Sequence, residues 1–162
     1  MKCFTTRDEA SFQRETKIYS TILLRHDHIL VYLGNDCISK NSNTQNWIVT
    51  QYHPLGSLYD FLNRPETLMI DETFNLLYTA LKGLQHLHFE VFASQGKPSI
   101  AHRDIKSKNI LIRQHERGIS CVLADFGLAV TNDELPTLTL SEDVNTRVGT
   151  KRYMSPELLD FR

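Results

Sequence analysis

Nothing in this 162-residue sequence is long and apolar enough to cross a bilayer. Its longest plainly apolar run, residues 29–33, falls far short of the roughly 20 residues a membrane helix needs. Cysteine is scarce. Cys3, Cys37 and Cys121 are far apart and odd in number, which excludes a disulfide framework and a metal-ligand pair. That usage fits a reducing compartment. Charge of one sign is not in excess: the net value is −1, so no broad attraction to nucleic acid or to a membrane surface is implied. The first residues are polar and basic with no apolar run behind them, so no secretory signal is read. Internal repeats and low-complexity tracts are absent, and no G-x-G-x-x-G run stands in front of Lys2.

What remains is ordinary globular material. At 41% hydrophobic and 23% charged, the chain suffices for one packed domain. Residues 1–4 read as the tail of a strand. Residues 8–24 turn helical, with Asp8 or Thr6 as a cap and Phe12, Ile18, Tyr19, Ile22 and Leu23 at helical spacing. Glu15 falls on that same face. An ionised carboxylate on a core-facing stripe needs a partner, and Lys2 is the candidate; the alternative is a solvated glutamate at the stripe's edge. Residues 29–33 and 47–50 read as strands, joined by a polar loop over 35–46. Pro54 and Gly56 then make a bend between two halves. A short helix is expected over 57–63. A longer one is capped by Asp71 and striped by Phe74, Leu77, Leu81, Leu84 and Leu87. His86 and His88, two apart, do not share a helix face and read as packed or half-exposed side chains. Residues 109–112 and 121–124 read as two short strands around a polar turn.

The chemistry concentrates in residues 101–111, Ala-His-Arg-Asp-Ile-Lys-Ser-Lys-Asn-Ile-Leu. This H-R-D-x-K-x-x-N spacing resembles the catalytic loop of a protein kinase. Asp104 would accept the proton of an attacking hydroxyl. Asn109 would hold a magnesium ion through its amide oxygen. Lys106, between them, can neutralise charge growing on a transferred phosphate. Asp125-Phe126-Gly127 follows, supplying a second metal-binding carboxylate, and then Ser155-Pro156-Glu157. The order and spacing of the three motifs match the family.

Within the kinases, the chain resembles the receptor serine/threonine kinases of the transforming growth factor-beta superfamily over essentially its whole length. Residues 96–100 (GKPSI), 101–111 (AHRDIKSKNIL) and 147–157 (RVGTKRYMSPE) carry the resemblance. Residues 18–21 with 24–26, residues 52–53 with 56–60, and Lys151 look like a type I receptor. Phe126 departs from the usual type I D-L-G, Ser155 from A-P-E, and His28 from an asparagine. Phe126 keeps a type II receptor open, and a non-catalytic kinase-like module is the remaining alternative.

The resemblance implies an α+β, two-lobed kinase fold cut at both ends. Residues 1–50 would be a remnant of the front lobe, 51–56 the hinge, and 57–162 the first part of the rear lobe with the activation segment. A piece of this kind is expected to be marginally stable alone. The resemblance further implies ATP with magnesium, or manganese in its place, as cofactor. Lys2 would hold the phosphates, paired with Glu15. Thr50 would be the gatekeeper, Gln51 and His53 would lie at the adenine edge, and Leu111 would floor the pocket. Lys106 and Thr150, beside Asp104, imply serine/threonine rather than tyrosine specificity. The implied partners are a receptor-regulated Smad substrate, a type II receptor kinase, and an extracellular ligand of the superfamily reached through an ectodomain. No nucleic-acid partner is implied. The implied location is the cell membrane, crossed once, with this part facing the cytoplasm. In residues 35–45 the loop resembles the bone-morphogenetic-protein branch, where it would select the Smad.

Overall fold

Strand β1 (Lys2–Phe4) opens the chain and buries Phe4 at its end. In the computed structural model, which describes residues 1–5, 8–21, 23–40, 43–92, 96–116, 118–134 and 148–160, β1 is one edge of a three-stranded antiparallel sheet. Strand β3 (Asn43–Thr50) is central and β2 (Tyr32–Lys40) is the other edge. Lys2 lies opposite Ile48, which is completely buried. Helix α1 (Glu9–Tyr19) lies against β3 and closes this core, with Phe12 meeting Phe4 edge-on at 5.5 Å between ring centres.

Three expectations for this half need correction. Residues 35–46 are not a loop. Asn35 pairs with Ile48 and Ser39 with Thr44, so β2 and β3 form one long hairpin. Residues 35–39 are all exposed, so both faces of this part of β2 meet water, and composition alone does not separate such a strand from a loop. The tip, residues 41–42, lies outside the described residues. Residues 29–33 are not one strand either: β2 begins at Tyr32, while Ile29 bridges Leu123 in parallel and the Leu30 N–H donates to the Leu123 carbonyl at 2.9 Å. That run is apolar because Ile29 and Leu30 are buried where the two halves meet. Helix α1 stops at Tyr19 rather than running to residue 24. The Ser20 hydroxyl bonds back to the Thr16 carbonyl, and Leu23, half-exposed with φ 62°, turns the chain away. Ile22 and Thr6 lie outside the described residues.

The second half begins at helix α2 (Leu58–Leu62). The helix expected over 57–63 is present, and Ser57 caps it, its hydroxyl accepting from the Asp60 N–H while the Asp60 carboxylate takes the Ser57 N–H. Helix α3 (Ile70–His88) follows. Then come β4 (Ile100–Ala101) and a 3-10 turn (Ser107–Asn109), followed by the hairpin β5 (Ile110–His115) and β6 (Gly118–Leu123). Strand β7 (Val130–Thr131) pairs with β4. A second 3-10 turn (Lys151–Tyr153) and a short helix α4 (Pro156–Leu159) end the described chain. Helix α3 packs on β6, where the Cys121 N–H donates to the Thr79 hydroxyl at 3.0 Å. At Gly83 the helix comes so near residue 28 that an added Cβ would sit 2.6 Å from the His28 carbonyl oxygen.

Two expectations for α3 also change. Met69, not Asp71, precedes the first helical residue, and the Glu72 carboxylate accepts the Met69 N–H at 2.9 Å. The stripe holds at its end and fails before it: Leu84 and Leu87 pack as expected, joined in the core by Leu76, Thr79 and Gly83. Phe74, Leu77 and Leu81 are more than half exposed, as is Tyr78. The first half of the helix is apolar on two faces, so periodicity offered two stripes there and the exposed one was read. Leaving such a face in water promotes association. Leu77→Lys with Leu81→Lys should therefore raise the concentration at which the purified 162-residue chain stays monomeric in light scattering, without lowering its melting temperature. A lower melting temperature would show that this face supports the fold.

Candidate active site

Two backbone strains mark the site. Arg103 and Asp125 hold positive φ, 67° and 65°, outside the range most side chains tolerate. Such strain persists only where the surroundings enforce it. Between them lies His102, 2% exposed. Its Nδ1 accepts the Asp104 N–H at 3.3 Å, so its Nε2 carries the proton and donates to the Ala124 carbonyl at 2.9 Å. One buried imidazole thus ties the loop bearing Asp104 to the segment bearing Asp125. The sequence reading assigned His102 no role. The signal was available, since histidine heads the H-R-D run.

Asp104 is held from several sides. Lys106 donates to its Oδ2 at 2.5 Å, the Thr150 hydroxyl to Oδ1 at 2.8 Å, and Asn109 Nδ2 to Oδ2 at 3.0 Å. Lys106 also reaches the Thr150 hydroxyl at 2.9 Å. Burial works against the charge on Asp104, but the hydrogen bonds from Lys106 and Thr150 outweigh it and hold the carboxyl below its ordinary pKa. The anion is therefore the standing form near neutrality. Gly149 makes the close approach of Thr150 feasible: its φ is 118°, and a Cβ there would lie 2.6 Å from the Arg103 carbonyl oxygen.

The other half of the site comes from α1 and β1. Lys2 Nζ donates to Glu15 Oε2 at 2.7 Å and to Asp125 Oδ1 at 2.8 Å. Glu15 is 2% exposed, so the solvated reading of this side chain is excluded. Burial disfavours the ammonium of Lys2, yet the two carboxylates more than offset it and raise its pKa. Arg14 adds a tie from α1, donating to the Gly127 carbonyl at 3.2 Å. Behind Asp125, Phe126 is wholly buried, edge-on to Tyr19 at 5.1 Å and against His102 at 5.2 Å between ring centres. Tyr19 in turn stacks on Tyr32 of β2. The sheet, α1 and the loop bearing Asp104 are thus linked by a chain of rings.

Lys2, Asp104, Asp125 and Gly127 line one cleft of about 270 Å³, together with Asp8 and Ser11 of the α1 end. The remaining sequence candidates do not line it. Thr50 ends β3 half-buried, Gln51 is exposed, and Leu111 bridges Ser57. The Gln51 N–H is taken by the Val31 carbonyl at 2.9 Å. The His53 side chain is buried with Nε2 unpartnered among the described residues, and its carbonyl accepts the Gly56 N–H at 3.1 Å.

A protein-kinase domain model matches residues 1–162. The chain belongs to the protein kinase family. It is 51% identical to the "Activin receptor type-1-like" protein of Mus musculus over 160 residues, 99% of this chain and 31% of that protein. Against "Activin receptor type-1" of Gallus gallus and of Homo sapiens the identities are 49% and 48%, again over 99% of the chain. The chain spans about a third of the length of the curated relatives it matches. Among the described residues of this kinase chain, no helix is long and apolar enough to cross a membrane.

The kinase's histidines give it a pH dependence. Burial is the first cause holding His26, His53, His86 and His102 below the ordinary imidazole pKa. A base whose folded pKa is depressed takes up protons more readily once unfolded. Its contribution is complete above the unfolded value of about 6.5 and is lost as pH falls through it toward the folded value. The melting temperature should therefore drop steadily between pH 7.5 and pH 5.5. A flat profile across that window would contradict the burial of these rings.

Proposed function

We propose that the full-length protein is a receptor serine/threonine kinase that transfers the γ-phosphoryl group of ATP to serine hydroxyls of Smad proteins. The observation that carries this reading is the set of hydrogen bonds joining Asp104, Lys106 and Thr150, with Lys2 bridging Glu15 and Asp125 on the other side of one cleft. The identity to activin receptor type-1 proteins supports the receptor part, and with it a type II receptor kinase as partner, an extracellular ligand and a single membrane crossing.

The residues fit the cofactor. The Asn109 side-chain nitrogen is committed to Asp104, at 2.9 Å to its carbonyl and 3.0 Å to Oδ2, so the amide oxygen is the atom left to hold a metal. That oxygen and the Asp125 carboxylate are hard oxygen donors of the kind magnesium or manganese takes. Magnesium in kinase sites is completed by substrate phosphates rather than by a protein cage. ATP with magnesium would supply the activated phosphoryl group and neutralise its oxygens.

The chain's own residues do the rest. Lys2, kept charged by Glu15, would bind the phosphates. Asp104 would orient the acceptor hydroxyl and take its proton, and Lys106 would offset charge on the transferring group. Asp104 is anionic and fixed, so no reorganisation is required of it at the moment of transfer. Residues 51–56 would act as the hinge between 1–50 and 57–162, with Thr50, Gln51, His53 and Leu111 framing adenine.

Substrate choice we assign to the far end of the β2–β3 hairpin, around Asp36 and Ser39. Those side chains are exposed on a paired, well-defined edge, which is a better docking element than a loose loop. The test exchanges residues 36–42 for the corresponding segment of an activin-type receptor in the full-length protein. Phosphorylated Smads are then identified by mass spectrometry. The proposal expects serine phosphorylation in both proteins and a change in which Smad is modified. An unchanged Smad preference with intact activity would remove the hairpin as selector, and no Smad phosphorylation by either protein would remove the substrate.

A further inference from the structure

The second 3-10 turn is attached to the catalytic loop at both of its ends. At its start, Thr150 meets Asp104 and Lys106. At its end, the Tyr153 hydroxyl hydrogen-bonds the Ser107 hydroxyl at 2.9 Å. Ser107 opens the first 3-10 turn, the one that ends in Asn109. Two single turns from distant parts of the chain are thus fastened side by side next to the carboxylate that would take the proton. The Tyr153 ring is half exposed, so packing alone does not fix it. Within the turn, the Tyr153 N–H donates to the Thr150 carbonyl at 2.8 Å and the Met154 N–H to the Lys151 carbonyl at 3.2 Å.

We propose that Ser107 and Tyr153 are a positioning pair for the protein acceptor. This rests on the kinase reading and deepens it. A turn held only at Thr150 can swing about that point. The second anchor removes this freedom and presents Lys151 and Arg152, both exposed, in a fixed direction beside Asp104. Thr150 touches the Asp104 carboxylate, so an acceptor hydroxyl brought to Asp104 arrives beside this turn. Neither Ser107 nor Tyr153 lines the cleft of Lys2 and Asp125, so ATP does not depend on the pair. A single hydrogen bond between partly exposed groups has a modest net worth, so its loss should weaken acceptor use by about 2- to 10-fold.

The experiment compares wild type, Tyr153→Phe, Ser107→Ala and the double variant of the full-length kinase. Michaelis constants are measured for a Smad acceptor and for ATP. In parallel, amide hydrogen exchange is followed at Tyr153 and Met154. The pair predicts a 2- to 10-fold higher KM for the acceptor in each single variant, no further rise in the double, and an unchanged KM for ATP. It also predicts faster exchange at both amides. Losses that multiply in the double variant, an equal loss for ATP, or an unchanged acceptor KM would each overturn it. If wild type phosphorylates no acceptor, the kinase reading itself fails. The exchange rates then decide the pair alone: faster exchange in both single variants supports it, and unchanged exchange refutes it.

Discussion

Asp104→Asn should abolish phosphoryl transfer while leaving ATP binding nearly intact. Asparagine keeps the shape, so the Thr150 hydroxyl can still donate to its amide oxygen. It cannot take a proton, and its amide nitrogen would face Lys106, the donor now 2.5 Å away. Loss of a positioned base lowers rates by about 10² to 10⁴. Asp104 contributes a wall of the cleft, whereas the groups read as holding the phosphates and the metal are Lys2, Asn109 and Asp125. Nucleotide affinity, measured by calorimetry on the full-length kinase region, should therefore change little. Near-normal turnover would remove Asp104 from its role, and a matching collapse of ATP affinity would make it a binding residue instead.

Lys2→Arg should be almost as damaging, although charge is conserved. One ammonium nitrogen now serves Glu15 and Asp125 at once, at 2.7 and 2.8 Å. A guanidinium is a broad planar fork on a differently shaped stem, so it cannot reproduce that point charge. Misplacing a positioning group by an ångström costs on the order of 10² in rate. Glu15→Ala should fall in the same range, because Lys2 would then be drawn to Asp125 alone. In a double-mutant cycle, Lys2→Arg with Glu15→Ala should show coupling of about 0.5–3 kcal/mol, the range for groups in contact. Strictly additive losses would argue that the pair seen in the structure does not act as a pair.

The site was far more legible than the fold around it. Asp104, Lys106 and Asn109 sit close in sequence, and the β5–β6 hairpin returns Asp125 beside them, where the Ala124 N–H donates to the Asn109 carbonyl at 2.9 Å. The Lys2–Glu15 contact was legible only together with those motifs: a charge on the apolar stripe of α1 asks for a partner, and the kinase resemblance points to Lys2. The fold was harder to read wherever one residue type serves two environments. Residues 35–39, mostly polar, belong to a strand that meets water on both faces. Apolar Ile29 and Leu30 belong to no sheet strand, yet are buried where two halves meet. On α3, Phe74, Leu77 and Leu81 follow a helical period as faithfully as Leu76, Gly83 and Leu87 do. Only the small Gly83, which admits the His28 carbonyl, marks the packed face. His102 was missed because its role lies in two hydrogen bonds to backbone groups, one of them 22 residues away.

The most direct test of the account uses the full-length kinase region with magnesium and ATP labelled at the γ-phosphate. After reaction with a Smad protein, the label is recovered by acid hydrolysis and the modified amino acid is identified. The account predicts phosphoserine or phosphothreonine from wild type, and none above background from Asp104→Asn. Label on tyrosine, or equal transfer by wild type and Asp104→Asn, would contradict it.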